Sequence, residues 1–275
     1  MKIILAASIL LTTLWLSLGS DRYHSNTRTV DLGELQCRLL LKTTDQAIAT
    51  LVALHPNEKT CTEVMDELPR DVRFNLAGVE QEEKRLLKFR RFNQDLWFDP
   101  NRIFTNTGLR KNLQFHNNSA TADLEQDIQS FSDTLISFIQ ASQTSPYIVA
   151  VHNNSDENFS ILSYQDTTEA VDVFINPEED VDNFILVTQP QDFAFFKRHN
   201  INTALLANSL YEDDGSLSVY CLQNGFPYIN IEVEHGNKQK QIQLLILTYD
   251  LLKQKNAFHH LEPAPQKQYF LNNQH

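Results

Sequence analysis

Two histidines lie at the ends of predicted strands, and one of them is followed closely by a glutamate. In LVALHPNEKT an apolar run ends at His55, and Glu58 comes three residues later. A second apolar run, YIVAVHNN, delivers His152 in the same way. Two imidazoles and one carboxylate suit a catalytic zinc ion that keeps a position for water. A His-x-x-Glu spacing is common by chance, however, and by itself it more often marks a polar strand end than a metal site.

Two further segments carry polar residues of catalytic type. WFDPNRIFT places Asn101 and Arg102 after an Asp-Pro turn. NIEVEHG places Glu232 inside an apolar strand, where an unpaired carboxylate is costly and needs a partner or a function. Strand alternation puts Glu234 on the same face as Glu232, so the two compete for any such function.

These residue types are sufficient for hydrolysis of an amide. Zinc held by two neutral imidazoles and a carboxylate lowers the pKa of a water toward ~7. Glu232 could take the proton of that water and pass it to the leaving amine. The planar guanidinium of Arg102 suits either a developing oxyanion or a fixed carboxylate on the substrate.

The segments LHPNE, DPNRIF, VAVHNN and INIEVEHG, in this order, resemble the zinc carboxypeptidase-like superfamily. The resemblance is strongest to its aspartoacylase and succinylglutamate desuccinylase branch, and it covers about residues 45–240. Two prolines depart from the branch: Pro56 stands where Gly is usual and Pro100 where Leu is usual. The departures indicate loops shaped for a different substrate.

The resemblance implies a role for each matched residue. It assigns the ligands of one Zn²⁺ ion to three residues: His55, Glu58 and His152. Asn101 and Arg102 match the pair that holds a substrate carboxylate and polarises the scissile carbonyl, and Glu232 matches the catalytic carboxylate. Arg90 or Arg91 is a poorly spaced match to a further cationic residue of the family.

The composition is that of a globular protein. The chain has 275 residues, of which 41% are hydrophobic, so it is long enough for one large domain. Its 35 acidic and 23 basic residues give a formal net charge of -12, spread along the chain. Without a basic footprint, nucleic acid is not an expected partner.

The N-terminus predicts export. A single Lys2, an apolar stretch and small residues up to Ser20 have the layout of a secretory signal peptide over residues 1–20. We therefore expect a secreted or periplasmic protein, which would contact a membrane only if the signal were left uncut. In an oxidising compartment the three cysteines could supply one disulfide and one free thiol. The pairing is open among Cys37, Cys61 and Cys221.

The hydrophobic pattern predicts a single α/β domain over residues 21–262, followed by a tail over residues 263–275. Strands are predicted in QAIATLVALHP, YIVAVHNN, VDNFILVTQ and NTALLAN, and helices in SATADLEQDIQSFSDTLISFIQASQ, PQDFAFFKRHN and NKQKQIQLLILTYDLLKQKNAF. LGELQCRLLLKTTDQ is predicted to be a helix, and LSVYCLQNGFPYINIEVEHG two strands around an Asn-Gly turn. EEKRLLKF fits either a helix or an edge strand. The expected sheet is mixed and mostly parallel, with flanking helices, as in the carboxypeptidase-like fold.

Together these features favour an exported zinc-dependent hydrolase that cleaves an amide or peptide bond next to a carboxylate-bearing group. Peptides, including cell-wall peptides, are the substrates that fit the predicted compartment. An N-acyl amino acid deacylase of aspartoacylase type is the alternative enzyme. A module that binds metal or peptide without turnover is the alternative from another functional class.

Overall fold

The structure, a computed structural model, describes residues 22–154, 159–165, 170–206 and 212–259. The predicted signal peptide and C-terminal tail lie outside the described residues, so both stay predictions. In the described part of the chain we find no helix with the length and apolar character needed to span a bilayer.

The described residues form a mixed α/β domain. The strands are β1 (His24–Leu32), β2 (Leu35–Thr43), β3 (Thr50–Ala53), β4 (Asn75–Glu80), β5 (Leu87–Arg91), β6 (Gln94–Phe98), β7 (Ile148–Asn154), β8 (Ala170–Phe174), β9 (Phe184–Val187), β10 (Thr203–Leu206) and β11 (Tyr228–Glu234). The helices are α1 (Thr60–Val64), α2 (Asn106–Asn117), α3 (Ala122–Ser142), α4 (Pro190–Arg198), α5 (Leu217–Asn224) and α6 (Lys238–His259). Short 3₁₀ turns span Pro100–Arg102 and Ile161–Tyr164.

Nine of these strands form one sheet in the order β1-β2-β4-β3-β7-β11-β9-β10-β8. The run from β4 through β3 and β7 to β11 is parallel, as is the pair β9 and β10. The other neighbours in the sheet are antiparallel. The remaining strands, β5 and β6, form a separate antiparallel hairpin. The predicted fold class, a mixed sheet flanked by helices, is confirmed. The sheet was expected to be mostly parallel, but among the described residues four of its eight strand pairs are parallel and four are antiparallel.

The two faces of the sheet are covered by different helices. Alternate residues of the central strands enter opposite core clusters: Leu51 and Val149 pack with α1, α4 and α6, whereas Val52 and Ala150 pack with α2, α3 and α5. The central strands are therefore buried on both faces, which explains their continuous apolar sequences. A buried centre of this kind fixes where each strand ends.

The segment predicted as a first helix is instead strand β2. Its burial alternates, with Cys37 and Leu39 buried between exposed neighbours, and it pairs with β1 and β4. The polar segment before it is strand β1, which the pattern did not reveal because most of its side chains are exposed at the sheet edge. Gly33 makes the tight turn between them at φ 64°, where an added Cβ would lie 2.3 Å from the Arg90 carbonyl oxygen.

The predicted hairpin around Asn224 and Gly225 is also wrong. Residues before this point form helix α5, which leads directly into β11. The Ser216 side chain accepts a hydrogen bond from Val219 N at the start of the helix, and Gly225 closes its end at φ 70°. The Asn-Gly pair is therefore a helix terminus. EEKRLLKF, which had remained open, ends in strand β5.

The predicted disulfide is not formed. The three cysteines are free and buried, Cys61 in the core cluster on one side of the sheet and Cys37 and Cys221 in the cluster on the other side. Each thiol packs as a small apolar side chain among its neighbours.

We expect all three thiols to resist alkylation in the folded protein. Burial raises the pKa of both Cys37 and Cys61 to about 12, and it raises that of Cys221 as well, so almost no thiolate is present at neutral pH. Intact mass after iodoacetamide treatment should show no adduct in native buffer and three adducts in denaturant. One adduct in denaturant, rising to three only after a reductant is added, would indicate a disulfide and would contradict the structure.

Candidate metal centre

The sheet topology brings several predicted site residues to the carboxyl-terminal ends of the central strands. His55 follows β3 directly, His152 lies near the end of β7, and Glu232 lies near the end of β11. These three strands are parallel neighbours, and Glu232 pairs in register with His152. Their carboxyl ends therefore open on the same side, which is where ligands collect in such sheets.

His55, Glu58 and His152 converge in a buried cluster. His55 Nδ1 lies 2.8 Å from Glu58 Oε1, His152 Nδ1 lies 2.8 Å from Glu58 Oε2, and the two Nδ1 atoms are 3.2 Å apart. Each of the three residues is at most 5% exposed. Tetrahedral ligands about 2.0 Å from an ion are separated by about 3.3 Å, so the donor atoms are close to the spacing that zinc requires. The donor set thus fits a divalent metal, and the role of these residues as ligands stays a prediction.

The backbone around Glu58 fixes its carboxylate. Glu58 N donates to the His55 carbonyl oxygen at 3.1 Å, which closes the turn after β3. Asn153 N, at the end of β7, donates to Glu58 Oε2 at 3.2 Å. The short step from His55 to Glu58 is therefore a turn that places both side chains toward the same point.

Asp99 is a site residue that the sequence reasoning did not assign, although it opens the DPNR segment. Its Oδ1 lies 2.8 Å from His55 Nε2, the ring nitrogen that faces away from Glu58. The Asp99 carboxylate also accepts from Asn101 N, and Asn112 Nδ2 donates to its carbonyl oxygen. A carboxylate on the second nitrogen of a histidine fixes the ring and its tautomer, as is usual for metal-binding histidines.

Opposite charges dominate the electrostatics of the cluster. Burial alone would lower the pKa of His55, but the carboxylates of Glu58 and Asp99 outweigh it and raise that pKa to about 9. Burial would raise the pKa of Glu58, yet the two imidazoles hold it well below its usual range. The pKa of Asp99 is held low in the same way, mainly by His55. Since a ligand imidazole is neutral, a metal ion at this place competes with the proton of His55.

We expect Asp99→Ala to lower zinc affinity about 10–100-fold without abolishing binding, because His55 loses the carboxylate that orients its ring. Competition with a chromophoric chelator would measure the affinity. Asp95→Ala is the matched control, since Asp95 pairs with Lys88 and Arg90 on the separate hairpin. Equal affinities of the Asp99→Ala variant and the wild type would show that His55 needs no such support.

Asn101 and Arg102 lie on the same side of the sheet as the cluster. Asn101 Nδ2 is 3.5 Å from His152 Nε2, and its Oδ1 accepts from Leu217 N at 3.0 Å. Arg102 donates to the Asn101 carbonyl oxygen at 2.7 Å, and its Nε lies 3.3 Å from Asp214 Oδ2. Asp214 lies just before helix α5, far from Arg102 in the sequence.

A cavity of about 1040 Å³ joins these groups. Glu58, His152, Asn101, Arg102 and Glu232 all line it. Its walls also include aromatic and aliphatic side chains, hydroxyl groups and amides: Phe159, Tyr164, Leu186, Tyr228, Ser216, Ser218, Asn153, Asn154 and Asn230. The volume is large enough for a substrate the size of a dipeptide or larger.

Glu232 is 6% exposed, and Asn230 Nδ2 donates to its Oε1 at 2.9 Å. Burial raises the pKa of Glu232, although His152 partly opposes this. Glu234 lies two residues further on, is less buried and does not line the cavity among the described residues. The structure thus distinguishes Glu232 from Glu234, which strand alternation alone had left as equal candidates.

Arg85 is a cationic residue that contacts the cluster directly. Its guanidinium lies 2.7 Å from Glu58 Oε1 and 3.3 Å from Asp99 Oδ2, and Arg85 also lines the cavity. Arg90 and Arg91, the weak matches in the sequence, instead pair with Asp95 and Asp127. Arg85 escaped the sequence reasoning because it lies in the charged segment before β5, which gives no local indication of its direction.

No family model matches the chain, and no curated protein matches it. Solved structures do. A proposed metallopeptidase from Shewanella baltica OS155 shares 11% identity at a TM-score of 0.41, over 83% of this chain and 86% of that one. A metallo-carboxypeptidase from Burkholderia cenocepacia shares 12% identity at a TM-score of 0.40, over 84% and 65%.

Thrombin activatable fibrinolysis inhibitor (TAFI) shares 10% identity at a TM-score of 0.46, over 86% of this chain and 73% of that one. These are distant likenesses. The α/β domain is similar in fold, at low identity, to solved structures named as a proposed metallopeptidase and a metallo-carboxypeptidase.

Proposed function

We propose that the protein is a zinc-dependent hydrolase that cleaves an amide or peptide bond next to a carboxylate-bearing group. The observation that carries the proposal is the convergence of His55, Glu58 and His152 at the edge of a cavity that Glu232 and Arg102 also line. The donor atoms of the three candidate ligands all lie within 4.8 Å of one another.

His55, Glu58 and His152 would hold the zinc ion, which supplies Lewis acidity and lowers the pKa of water toward ~7. Asp99 keeps the His55 ring in place by accepting from its second nitrogen. Two imidazoles with one carboxylate favour zinc over magnesium or calcium, which prefer oxygen ligands alone.

Glu232 would move the proton. It is buried in the cavity wall, and its raised pKa brings it nearer to the working range of a general base at neutral pH. It could accept a proton from the attacking water and then return it to the leaving amine. Asp99 and Glu58 are unsuited to this step, because both carboxylates are already held by histidine.

Arg102 and Asn101 would bind the substrate. The Arg102 side chain is partly exposed in the cavity, and a guanidinium binds a carboxylate through two parallel hydrogen bonds. The Asn101 amide lies beside His152 and can orient a substrate carbonyl group. Asn101 and Arg102 come just after Asp99 in the sequence. The same short segment would therefore support the His55 ring and bind the substrate.

The location that we propose is outside the cytoplasm, on the basis of the predicted signal peptide. Peptides, including cell-wall peptides, are then the natural substrates, and the cavity has room for them. The test uses protein without residues 1–20. Its zinc content should be one ion per chain, and peptides should be hydrolysed faster than N-acyl amino acids. The reverse preference would identify a deacylase, and zinc binding without hydrolysis of either class would identify a binding module.

Removing the guanidinium of Arg102 should weaken the binding of substrates that carry a free carboxylate. A charge-assisted hydrogen bond contributes about 1.5–3 kcal/mol, so Arg102→Gln should raise KM about 10–100-fold for a peptide with a free C-terminus. The same peptide with an amidated C-terminus should be affected far less. Arg110→Gln is the control, because Arg110 pairs with Glu125 on the exposed surface. An equal effect on both peptides would show that Arg102 does not recognise the substrate carboxylate.

A further inference from the structure

Asn230 lies two residues before Glu232 on the same strand, β11. The two residues are separated by Ile231 in β11, so their side chains leave the same face of the sheet. Asn230 is 5% exposed, lines the same cavity, and donates from Nδ2 to Glu232 Oε1 at 2.9 Å. The bond therefore joins two buried side chains in the wall of the proposed site.

The backbone gives Asn230 little freedom to move. It pairs with Ala150 on β7 and with Leu186 on β9, in the interior of the sheet. A strand hydrogen-bonded on both sides holds its residues at fixed positions, and sites built on strands are more precise than those on loops. Asn230 can thus serve as a fixed point for the longer and more flexible Glu232 side chain.

The orientation of the amide supports this relation. Asn230 Oδ1 is buried and has no hydrogen-bond partner among the described residues. An unmet buried acceptor is unfavourable, but a rotated amide would place this oxygen against the carboxylate oxygen of Glu232. The donor bond to Glu232 therefore sets which way the amide faces.

We propose that Asn230 is a positioning residue whose amide holds the Glu232 carboxylate in the orientation from which it accepts a proton. With Oε1 engaged by Asn230, the other oxygen is the one available to the water. The effect of this positioning on catalysis rests on the proposed function. The positioning itself does not, because it is a contact between two side chains that exists whether or not the protein is a hydrolase.

Structures of the zinc-loaded wild type and of Asn230→Val test the positioning directly. We expect the Glu232 carboxylate in one conformation in the wild type, and rotated or in several conformations in the variant. The same carboxylate orientation in both proteins would overturn the proposal, whether or not the protein has the proposed activity. Zinc content, measured on the same samples, should be equal.

Kinetics on a hydrolysed peptide test the consequence. Misorientation of a catalytic group affects turnover more than binding, so Asn230→Val should lower kcat about tenfold or more with little change in KM. Asn230→Thr has nearly the same shape as the Val variant but keeps a donor, and it should recover part of kcat. Equal kcat values for these two variants would contradict the proposal.

Asn75→Val is the matched control. Asn75 is likewise a strand residue that is 5% exposed, but it lies at the start of β4 and does not line the cavity. We expect its kcat to equal that of the wild type. If the wild type hydrolyses no peptide, the proposed function fails, and the two structures still decide the positioning of Glu232.

Discussion

Glu232→Gln should lower kcat about 10²–10⁴-fold, the range that a positioned general base contributes, while zinc binding stays at the wild-type level. The amide has nearly the shape of the carboxylate but cannot accept the proton. Glu232 is buried in the cavity wall beside His152, and it accepts a hydrogen bond from the Asn230 amide, whereas Glu58 and Asp99 are each bonded to a histidine. Steady-state kinetics on a peptide, together with metal analysis, measures both quantities.

Glu234→Gln is the matched control for this prediction. It makes the same chemical change two residues further along β11, at a more exposed position. Its kcat should remain within about twofold of the wild type, as for most surface substitutions away from a site. If Glu234→Gln were the inactive variant, the assignment of the proton acceptor would move to Glu234. If neither variant lost activity, the proposed mechanism would be wrong.

His152→Ala should abolish stoichiometric zinc binding. It removes one of three ligands, so the loss should exceed the about 10–100-fold contributed by a partner of a ligand such as Asp99. It also leaves Glu58 Oε2 without the imidazole that lies 2.8 Å away. Zinc content after dialysis and the affinity from chelator competition are the measurements.

His235→Ala provides the comparison for His152→Ala. His235 lines the same cavity but is exposed and is not part of the three-residue cluster. Its zinc content should equal that of the wild type. Zinc retained at the wild-type level by His152→Ala would mean that His152 is not a ligand of the ion. That outcome would also remove the basis of the proposed hydrolase.

The local sequence was enough to predict the elements that surround the site. Apolar runs that stop at His55 and His152 predict buried strands, and β3 and β7 are found there. The amphipathic pattern after Thr121 predicts a helix, and α3 begins at the next residue. These predictions succeeded because a strand or helix buried on one or two faces carries its periodicity in its own residues.

The local sequence failed where pairing at a distance decides the structure. The segment around Leu39 has spacing compatible with a helix, yet it pairs with β1 and β4 as a strand. The Asn224–Gly225 pair fits both a hairpin turn and a helix end, and contacts between α5 and the rest of the core selected the helix. In both places two local structures had similar intrinsic preference, so tertiary packing determined the outcome.

For the candidate site, the sequence by itself determined which residues could bind zinc and move a proton. His55, Glu58, His152, Asn101, Arg102 and Glu232 were all chosen from residue types, spacing and family resemblance. The tertiary structure decided that three parallel strands end where His55, His152 and Glu232 lie, that Asp99 supports His55, and that Arg85 contacts the cluster. It also decided that the cysteines stay apart as buried thiols. The physical reason is that ligand chemistry resides in single side chains, whereas their distances depend on strand order and loop direction, which no local pattern encodes.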